Sequence, residues 1–216
     1  MSQESDWPAR LNLLYSAVVA DVLDRIGRRQ QVMHTGIAAV APGSRLAGRA
    51  LTVLATPDRE IAPKHPYAGE ITAVDALRTD DVLVASTCAF SLWGELLSTA
   101  ARARGARGVV LDGPTRDTSA IRSMGFPVFC RGTHPADSLG RVHVEAHNVS
   151  IVCGGVLVRP GDLVLADDDG VVVVPTDVAD QVLTLAEEKV RGENKVRDAL
   201  AAGMSVADAF QKFGIL

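Results

Sequence analysis

The chain has few cysteines, few aromatic residues and no excess of positive charge. Its 216 residues include three cysteines, an odd number without close spacing, which gives neither a disulfide framework nor a cysteine-based zinc site. The chain has 22 lysines and arginines against 26 aspartates and glutamates, whereas proteins that coat nucleic acids need a basic surface. We therefore predict a reduced, cytoplasmic setting and no nucleic-acid partner.

Several motifs that would mark a cofactor, a nucleophile or a membrane segment are also missing. The sequence has no Gly-x-Gly-x-x-Gly loop, no Walker loop and no Gly-x-Ser-x-Gly elbow. No apolar run approaches the roughly 18 residues of a membrane span, and the first residues do not resemble a signal peptide. The four lysines lie in polar or loop-like surroundings, which disfavours a Schiff-base mechanism. These absences favour a soluble protein that uses a metal ion rather than a lysine.

The apolar pattern predicts an α/β fold with a β-rich second half. The length fits one domain, residues 1–216, and 47% of the residues are hydrophobic. Helical spacing predicts a first helix from Pro8 to about Ile26 and an amphipathic arm over residues 177–216 that contacts a neighbouring subunit. Further helices are predicted at 72–77, 92–104 and 119–124, and strands at 50–55, 82–86, 109–111, 128–130, 151–158, 163–166 and 171–174.

The most informative part of the sequence is Trp93-Gly94-Glu95-Leu96-Leu97 together with the pair Arg116-Asp117. The apolar run at 109–111 ends in Asp-Gly-Pro, which predicts a buried strand entering a loop, where α/β proteins place ligand sites. Gly94 begins a segment of helical character, and a helix N-terminus presents unpaired backbone N–H groups to a carboxylate or phosphate. These residues predict a pocket for a small oxyacid bound to a metal ion.

Each side chain of this segment also has a plainer interpretation. An Arg-Asp pair alone is most often a surface ion pair, but here Asp117 is a hard oxygen ligand suited to Mg²⁺ or Mn²⁺. Arg116 can form a fork to a carboxylate or an enolate. Glu95 is either a favourable charge in a first helical turn or a carboxylate that orients metal-bound water. Gly94 is either a turn residue or the point where a ligand approaches the backbone.

Other polar clusters are interpreted as structural. The run Asp167-Asp168-Asp169-Gly170 lies between two apolar runs and lacks the alternating carboxylates of an EF-hand, so it predicts a hairpin turn. The five histidines show no ligand spacing such as His-Glu-x-x-His, and none belongs to the predicted site.

Five segments, in this order along the chain, resemble the family of 4-hydroxy-4-methyl-2-oxoglutarate aldolases, which shares its fold with the regulator of ribonuclease activity A. They are the segments at residues 93–97, 112–117 (Asp-Gly-Pro-Thr-Arg-Asp), 126–129 (Phe-Pro-Val-Phe), 154–162 and 166–175. The likeness runs from about Val18 to the carboxyl terminus. It implies a swivelling β/β/α-type fold with mixed sheets, flanking helices and a helical arm. It also implies a class II, metal-dependent pyruvate aldolase that forms a homotrimer or a hexamer of paired trimers, with active sites between subunits.

The resemblance implies a role for each matching residue. Asp117 matches the direct metal ligand, Arg116 the substrate-binding arginine, and the backbone of residues 94–97, up to Leu96 and Leu97, the cradle for the pyruvate carboxylate. Twenty residues separate Glu95 from Arg116, and the family motif usually has Asp where this chain has Glu95. Glu193 matches a carboxylate that a neighbouring subunit contributes to the water shell of the metal.

The reaction implied is cleavage of a 4-hydroxy-2-oxo acid to pyruvate and a second oxo acid. Decarboxylation of oxaloacetate passes through the same pyruvate enolate and is expected as a further activity. Two alternatives stay open at this point. One is a non-catalytic protein that binds and inhibits a ribonuclease, which has no need of Arg116 and Asp117. The other is a methyltransferase, which the missing glycine-rich cofactor loop disfavours.

Overall fold

A computed structural model describes residues 6–58 and 64–215. In these residues the strands are β1 (Ala38–Ala39), β2 (Leu46–Pro57), β3 (Asp81–Ala85), β4 (Gly108–Leu111), β5 (Val128–Cys130), β6 (Val142–His147), β7 (Ile151–Cys153), β8 (Val156–Val158), β9 (Leu163–Asp167) and β10 (Gly170–Val174). The helices are α1 (Trp7–Leu11), α2 (Ser16–Arg25), α3 (Ala68–Asp75), α4 (Glu95–Ala103), α5 (Thr118–Met124), α6 (Ala179–Ala201) and α7 (Val206–Phe213), and a 3₁₀ turn (Thr176–Val178) precedes α6.

A mixed sheet in a nearly closed, barrel-like arrangement forms the centre of the fold. Its strand order in the described residues is β1-β5-β4-β3-β2-β9-β10, and β6 also pairs with β2. Strands β2, β3, β4 and β5 run parallel, with helices in the connections between them. Val82, Val84, Val109 and Leu111 are all fully buried, as expected for parallel strands covered on both faces.

The later strands form hairpins, as their glycines predict. Strands β9 and β10 are antiparallel, with Asp167 opposite Gly170, so Asp168 and Asp169 make the two-residue turn. Strands β7 and β8 pair across Gly154 and Gly155, whose φ angles of 57° and 82° suit a tight turn. The run predicted as one strand over 151–158 is therefore two short strands.

The prediction of one long first helix was wrong, because the chain breaks between α1 and α2. The Arg45 guanidinium donates hydrogen bonds to the backbone carbonyls of Asn12, at 2.9 Å, and Leu14. The Asp167 carboxylate accepts from the Ser16 backbone N–H at 2.7 Å and from the Ser16 hydroxyl at 2.6 Å. These distant side chains bind the backbone groups that a continuous helix would have paired.

The sequence predicts no strand at Val142–His147, yet β6 lies there. Val142 and Val144 are buried, whereas His143 is half-buried and Glu145 is exposed. Strand β6 pairs with β2 outside the main strand order, and a strand in such a position needs only one apolar face. Two alternating valines alone are a weak sequence signal for a strand.

The carboxy-terminal helices pack on the amino-terminal ones. In α6, Val182, Leu183 and Ala186 are fully buried against α1 and α2, and the Trp7 indole donates to Asp180 at 2.6 Å. The predicted contact of residues 177–216 with a neighbouring subunit stays a prediction, as does the domain range 1–216. No helix in the described residues is long and apolar enough to span a bilayer.

The predicted fold class is confirmed. The structure is an α/β fold of the swivelling β/β/α type, in which a mixed sheet and a two-stranded antiparallel sheet are flanked by helices at both ends of the described chain. This arrangement brings the loops that follow β3, β4 and β5 to one edge of the sheet, because the carboxyl ends of parallel strands lie together.

We expect Leu183→Ala to lower the free energy of unfolding by about 2–5 kcal/mol, because the side chain is fully buried and its removal leaves a cavity. Chemical denaturation followed by circular dichroism measures the loss. Leu13→Ala is the matched control, since Leu13 is 79% exposed and should change the stability by less than about 0.5 kcal/mol. Equal effects of the two changes would contradict the packing of α6.

Candidate functional site

Two loops meet at the backbone carbonyl of Trp93. This carbonyl accepts hydrogen bonds from the Thr115 hydroxyl at 3.0 Å and from the Arg116 backbone N–H at 3.1 Å. The Trp93 indole is buried and donates to the Ser98 hydroxyl at 2.8 Å, which in turn donates to the Gly94 carbonyl at 2.9 Å. These bonds fix the start of α4 against the loop that follows β4.

Gly94 and Asp117 are in direct contact. A Cβ atom on residue 94 would lie 2.5 Å from Asp117 Oδ2 and 3.3 Å from Arg116 Cγ, so a side chain there would displace both. The room left by the glycine admits the Asp117 carboxylate, which accepts a hydrogen bond from the Glu95 backbone N–H at 3.2 Å. Asp117 has a φ of 58°, in the left-handed region that aspartate and asparagine tolerate better than most residues.

The Arg116 guanidinium lies between two carboxylates. Its Nη2 atom is 3.4 Å from Asp137 Oδ1, and its Nε atom is 3.8 Å from Asp117 Oδ2. The second oxygen of Asp137 accepts a hydrogen bond from the Tyr67 hydroxyl, and this bond raises the pKa of Tyr67. Tyr67 has a φ of 61°, and backbone strain of this kind in a non-glycine residue is often found at functional sites.

These side chains surround a cavity of about 320 Å³, a volume within the usual range for small-molecule sites. Its lining includes the predicted residues Gly94, Leu96, Leu97, Arg116 and Asp117. The structure thus brings together the start of α4 and the Arg-Asp pair, as the sequence predicts. Their roles in binding stay predictions.

A buried carboxyl group, Glu70, lines the same cavity. It is 5% exposed, and its Oε1 atom accepts a hydrogen bond from the Ser138 hydroxyl at 3.2 Å. Burial raises the pKa of Glu70, although its hydrogen bonds to its own backbone N–H and to Ser138 oppose the change. The cavity therefore holds a carboxyl that keeps its proton to a higher pH than an ordinary glutamate.

The side chains of the first turn of α4 point in different directions. The Thr99 hydroxyl donates to Glu95 Oε1 at 2.8 Å, so this carboxylate lies along its own helix rather than in the cavity lining. Leu96 is 79% exposed, and Leu97 packs against the core. Because the first N–H groups of a helix lack intrahelical acceptors, the backbone of Leu96 and Leu97 supplies donors beside Asp117.

Glu193 lies elsewhere in the chain. It is on α6, where its carboxylate accepts a hydrogen bond from the Tyr15 hydroxyl and is 3.7 Å from Lys189 Nζ. It is not part of the cavity at Arg116. Its predicted role concerns a neighbouring subunit, so within one chain it stays a prediction.

A second buried carboxylate, Asp112, orders the loops that follow β3, β4 and β5. It is 3% exposed and accepts hydrogen bonds from Thr87, from the Gly154 backbone N–H at 3.2 Å and from Arg131 Nη1 at 3.2 Å, with His34 Nε2 at 3.3 Å. Burial acts to raise the pKa of Asp112, but the hydrogen bonds from Thr87, Gly154 and Arg131 outweigh it and hold the pKa below its usual value.

The polar groups interpreted as structural make structural contacts. Asp168 accepts a hydrogen bond from the Gly43 backbone N–H at 2.8 Å, and His143 Nε2 lies 3.0 Å from Glu145 Oε2. Within residues 6–58 and 64–215 there is no group of three His, Cys, Asp or Glu side chains that could hold a metal ion by itself. A metal site here needs water molecules or a second subunit to complete it.

The sequence did not identify Tyr67, Glu70 or Asp137 as parts of the site. Tyr67 lies directly before α3, Glu70 lies in α3, and Asp137 lies in the loop between β5 and β6. No motif or spacing connects them to Arg116. The left-handed backbone at Tyr67 has no signal in the sequence, because it depends on the packing around α3. Glu70 is one of two carboxyl residues in the short helix α3, and nothing in the sequence marks it as the buried one.

A family model matches most of the chain. The RraA-like model, described as Aldolase/RraA, matches residues 16–173, a stretch that contains every predicted site residue except Glu193. A relative from Halalkalibacterium halodurans, named "Putative 4-hydroxy-4-methyl-2-oxoglutarate aldolase", is 30% identical over 215 residues, which cover 97% of this chain and 96% of that protein. Protein DlpA of Legionella pneumophila is 28% identical over 206 residues, but this chain spans only 32% of its length.

Solved structures share the fold over nearly the whole chain. An uncharacterized protein from Pseudomonas syringae pv. tomato superposes with a TM-score of 0.83 at 28% identity, over 95% of this chain and 96% of that one. Streptomyces coelicolor RraAS2, described as an unusual member of the RNase ES inhibitor RraA protein family, gives a TM-score of 0.80 at 31% identity, over 89% of this chain and 96% of that one.

We expect Asp112→Asn to cost about 1–3 kcal/mol of unfolding free energy at neutral pH, because the hydrogen bonds to the charged carboxylate are lost or weakened. The pKa of folded Asp112 lies below its unfolded value. These bonds therefore stabilise the fold fully above the unfolded pKa of about 3.9, and the stabilisation disappears as the pH falls through the folded pKa.

The measurement is denaturant unfolding of both proteins from about pH 7 down to about pH 3, a range that crosses the ordinary aspartate pKa. The difference in unfolding free energy between the wild type and Asp112→Asn should become smaller as the pH falls. Asp177→Asn is the control. Asp177 is exposed in its ion pair with Arg28, so this change should alter the unfolding free energy by less than about 0.5 kcal/mol. A difference between the wild type and Asp112→Asn that stays constant with pH would contradict the lowered pKa.

Proposed function

This chain belongs to the aldolase/RraA family, and we propose that it is a divalent-metal-dependent lyase. The proposed reaction cleaves a 4-hydroxy-2-oxo acid, of the 4-hydroxy-4-methyl-2-oxoglutarate type, to pyruvate and a second oxo acid. Oxaloacetate decarboxylation, through the same pyruvate enolate, is proposed as a further activity. The observation that carries the proposal is the contact of Gly94, Arg116 and Asp117 at the start of α4. The name of the Halalkalibacterium relative supports it.

The residues at this contact fit a hard divalent cation such as Mg²⁺ or Mn²⁺. Mg²⁺ usually takes one or two protein carboxylates and keeps several waters, and Asp117 offers one half-exposed carboxylate, fixed by the Glu95 backbone N–H. We propose Asp117 as the direct ligand, with Glu95 and Glu193 of the partner subunit acting through water. A bound ion would supply Lewis acidity that stabilises negative charge on the substrate oxygens.

The remaining groups bind and orient the substrate. The Leu96 and Leu97 backbone N–H groups, at the positive end of α4, are suited to the substrate carboxylate. Arg116 stabilises the charge of the enolate, and Asp137 holds its guanidinium in position. Glu95 has one oxygen bound by Thr99, and we propose that its other oxygen orients the water that accepts the proton of the C4 hydroxyl.

A second candidate function is a non-catalytic protein that binds and inhibits a ribonuclease. The similarity to Streptomyces RraAS2, a member of an RNase ES inhibitor family, favours it. The two functions differ in what they need from Asp117, because a metal ligand beside an arginine has no role in a surface that only binds protein. A pyruvate assay of the wild type and of the Asp117→Asn protein tests this difference.

We also propose that the chain forms a homotrimer or a pair of trimers, in which residues 177–216 contact a neighbouring subunit. In support, Val206 and Phe210 lie four residues apart on α7 and are 58% and 55% exposed, so the described residues leave one apolar face of this helix largely uncovered. The proposal includes a cytoplasmic setting, a small oxo acid as the ligand, and no nucleic-acid or membrane partner.

We expect Asp117→Asn to lower kcat/KM for pyruvate formation by more than about 100-fold, because the change removes the charge of the proposed ligand. Asparagine tolerates the left-handed backbone at this position, so the loop should keep its shape. The measurement is a coupled pyruvate assay with 4-hydroxy-4-methyl-2-oxoglutarate and oxaloacetate, in Mg²⁺ and Mn²⁺.

Asp168→Asn is the matched control and should retain activity, because Asp168 lies in the turn between β9 and β10. Full activity of the Asp117→Asn protein would show that Asp117 is not the ligand. If the wild type forms no pyruvate from any 4-hydroxy-2-oxo acid or from oxaloacetate, the lyase is ruled out.

We expect Glu95→Gln to lower kcat by about 10–100-fold, because the amide is a poor orienting group for a proton-accepting water. Its effect on KM should be small. Thr99→Ala is the comparison, since it removes the hydrogen bond to Glu95 but keeps the carboxylate, and it should cost less than about tenfold. Steady-state kinetics of both variants measure these effects. Equal losses of kcat in the two variants, or no loss of kcat in Glu95→Gln, would contradict the proposed role of Glu95.

A further inference from the structure

A second cavity lies at the carboxyl ends of the parallel strands. Its volume is about 680 Å³, and its walls come mainly from the loops after β3, β4 and β5 and from the start of β6. Ligands of open α/β sheets bind beyond the carboxyl ends of the strands, and this volume is ample for a small molecule. Among the described residues, this cavity and the cavity at Arg116 share no lining residue.

The side chains that line this second cavity are neutral or positively charged. They include Arg131, Arg141 and His134, and no aspartate or glutamate of the described residues lines it. The Cys88 thiol also lies in the wall, but burial raises its pKa to about 11, so it is uncharged and a poor nucleophile at neutral pH. The cavity therefore presents net positive charge to a ligand.

Arg131 is fixed by a carboxylate beneath the cavity. Its Nη1 atom lies 3.2 Å from Asp112 Oδ1, and Asp112 is itself 3% exposed and held by Thr87 and the Gly154 backbone. A guanidinium has five N–H donors. One bond to Asp112 therefore orients Arg131 and leaves other donors for a ligand, although it offsets part of the charge.

Arg141 is fixed by backbone carbonyls and by an aromatic ring. Its Nη1 atom donates to the backbone carbonyls of Asp137 at 3.2 Å and Leu139 at 3.3 Å, and its guanidinium lies 5.4 Å from the centre of the Phe90 ring. In the described part of the chain no carboxylate forms an ion pair with it. Carbonyl and ring contacts orient the guanidinium and leave some of its N–H donors for an incoming anion.

His134 supplies a third polar group. The Ala136 backbone N–H donates to His134 Nδ1 at 3.0 Å, so the neutral ring carries its proton on Nε2 and can donate from that atom. The ring packs edge-on against Phe90, with 5.6 Å between centres. Phe90 thus contacts both His134 and Arg141 and keeps these two polar groups on one wall.

We propose that this second cavity binds a small organic anion through a carboxylate or phosphate group held between Arg131 and Arg141. Guanidinium groups bind both oxyanions through paired hydrogen bonds, and His134 is placed as an additional donor. The site is distinct from the one proposed for the lyase, because the two cavities share no lining residue in the described chain. Their one link is Asp137, whose backbone carbonyl binds Arg141 while its side chain faces Arg116.

The test is isothermal titration of the full chain with three probes: inorganic phosphate, pyrophosphate and malonate. At least one probe should bind saturably, with an affinity that falls as NaCl is raised. Arg141→Gln should weaken that binding by about tenfold or more, since a charge-assisted hydrogen-bond donor is lost. Arg28→Gln is the control and should bind as the wild type does, because Arg28 pairs with Asp177 away from the cavity. The preferred probe tells whether the ligand group is a phosphate or a carboxylate.

A further variant, Arg116→Gln, separates the two cavities and should leave probe binding unchanged. If it weakens binding as strongly as Arg141→Gln does, the probe binds at the lyase site and the inference is wrong. Absence of binding by the wild type to all three probes, or wild-type binding by a folded Arg141→Gln protein, also overturns it. Circular dichroism checks that each variant is folded. The binding measurements do not depend on pyruvate formation. The proposed anion site would therefore remain valid if the lyase proposal failed.

Discussion

The backbone carbonyl of Trp93 is the contact on which the candidate site depends. Two donors from the loop after β4 bind this one oxygen, while the buried indole of the same residue binds Ser98 inside α4. The carbonyl therefore ties the start of a helix to the end of a neighbouring strand. Without it, the Asp117 carboxylate and the backbone N–H of Glu95 would belong to two independent loops.

The parallel part of the sheet positions the two segments that meet at the Trp93 carbonyl. Strands β3, β4 and β5 are parallel and almost entirely buried, so their carboxyl ends are held together at one edge of the sheet. Both cavities open at that edge, one framed by a helix N-terminus and Arg116, the other by Arg131 and Arg141. Each of these features attracts negative charge, although the protein as a whole is acidic. The charge that matters for binding is thus local and set by the fold.

The sequence predicts much of the fold because most elements depend on local patterns. Strands β4 and β5 are short apolar runs bounded by glycine or proline, and the turn at Asp168 and Asp169 follows from Asp-Gly between two apolar runs. The break between α1 and α2 is different. It depends on Arg45 and Asp167, which are distant in sequence, so periodicity alone predicts a continuous helix.

The same distinction applies to the candidate site. Gly94, Arg116 and Asp117 lie in segments with recognisable motifs, and the structure brings them together. Tyr67, Glu70 and Asp137 reach the cavity through the packing of α3 and of the loop before β6, which no local pattern encodes. The contacts of these three residues depend on the tertiary structure, so the sequence alone does not predict them.

The packing of α6 on α1 and α2 has a consequence for how the chain folds. Trp7 pairs with Asp180 and Arg10 with Glu187, so these contacts join residues 173 and 177 positions apart. Pairing over such separations is slow to form. On the ribosome, the apolar faces of the two amino-terminal helices can pack on β2, β9 and β10 but stay partly uncovered until α6 has been synthesised. Throughout that interval the uncovered part is open to chaperones and to aggregation.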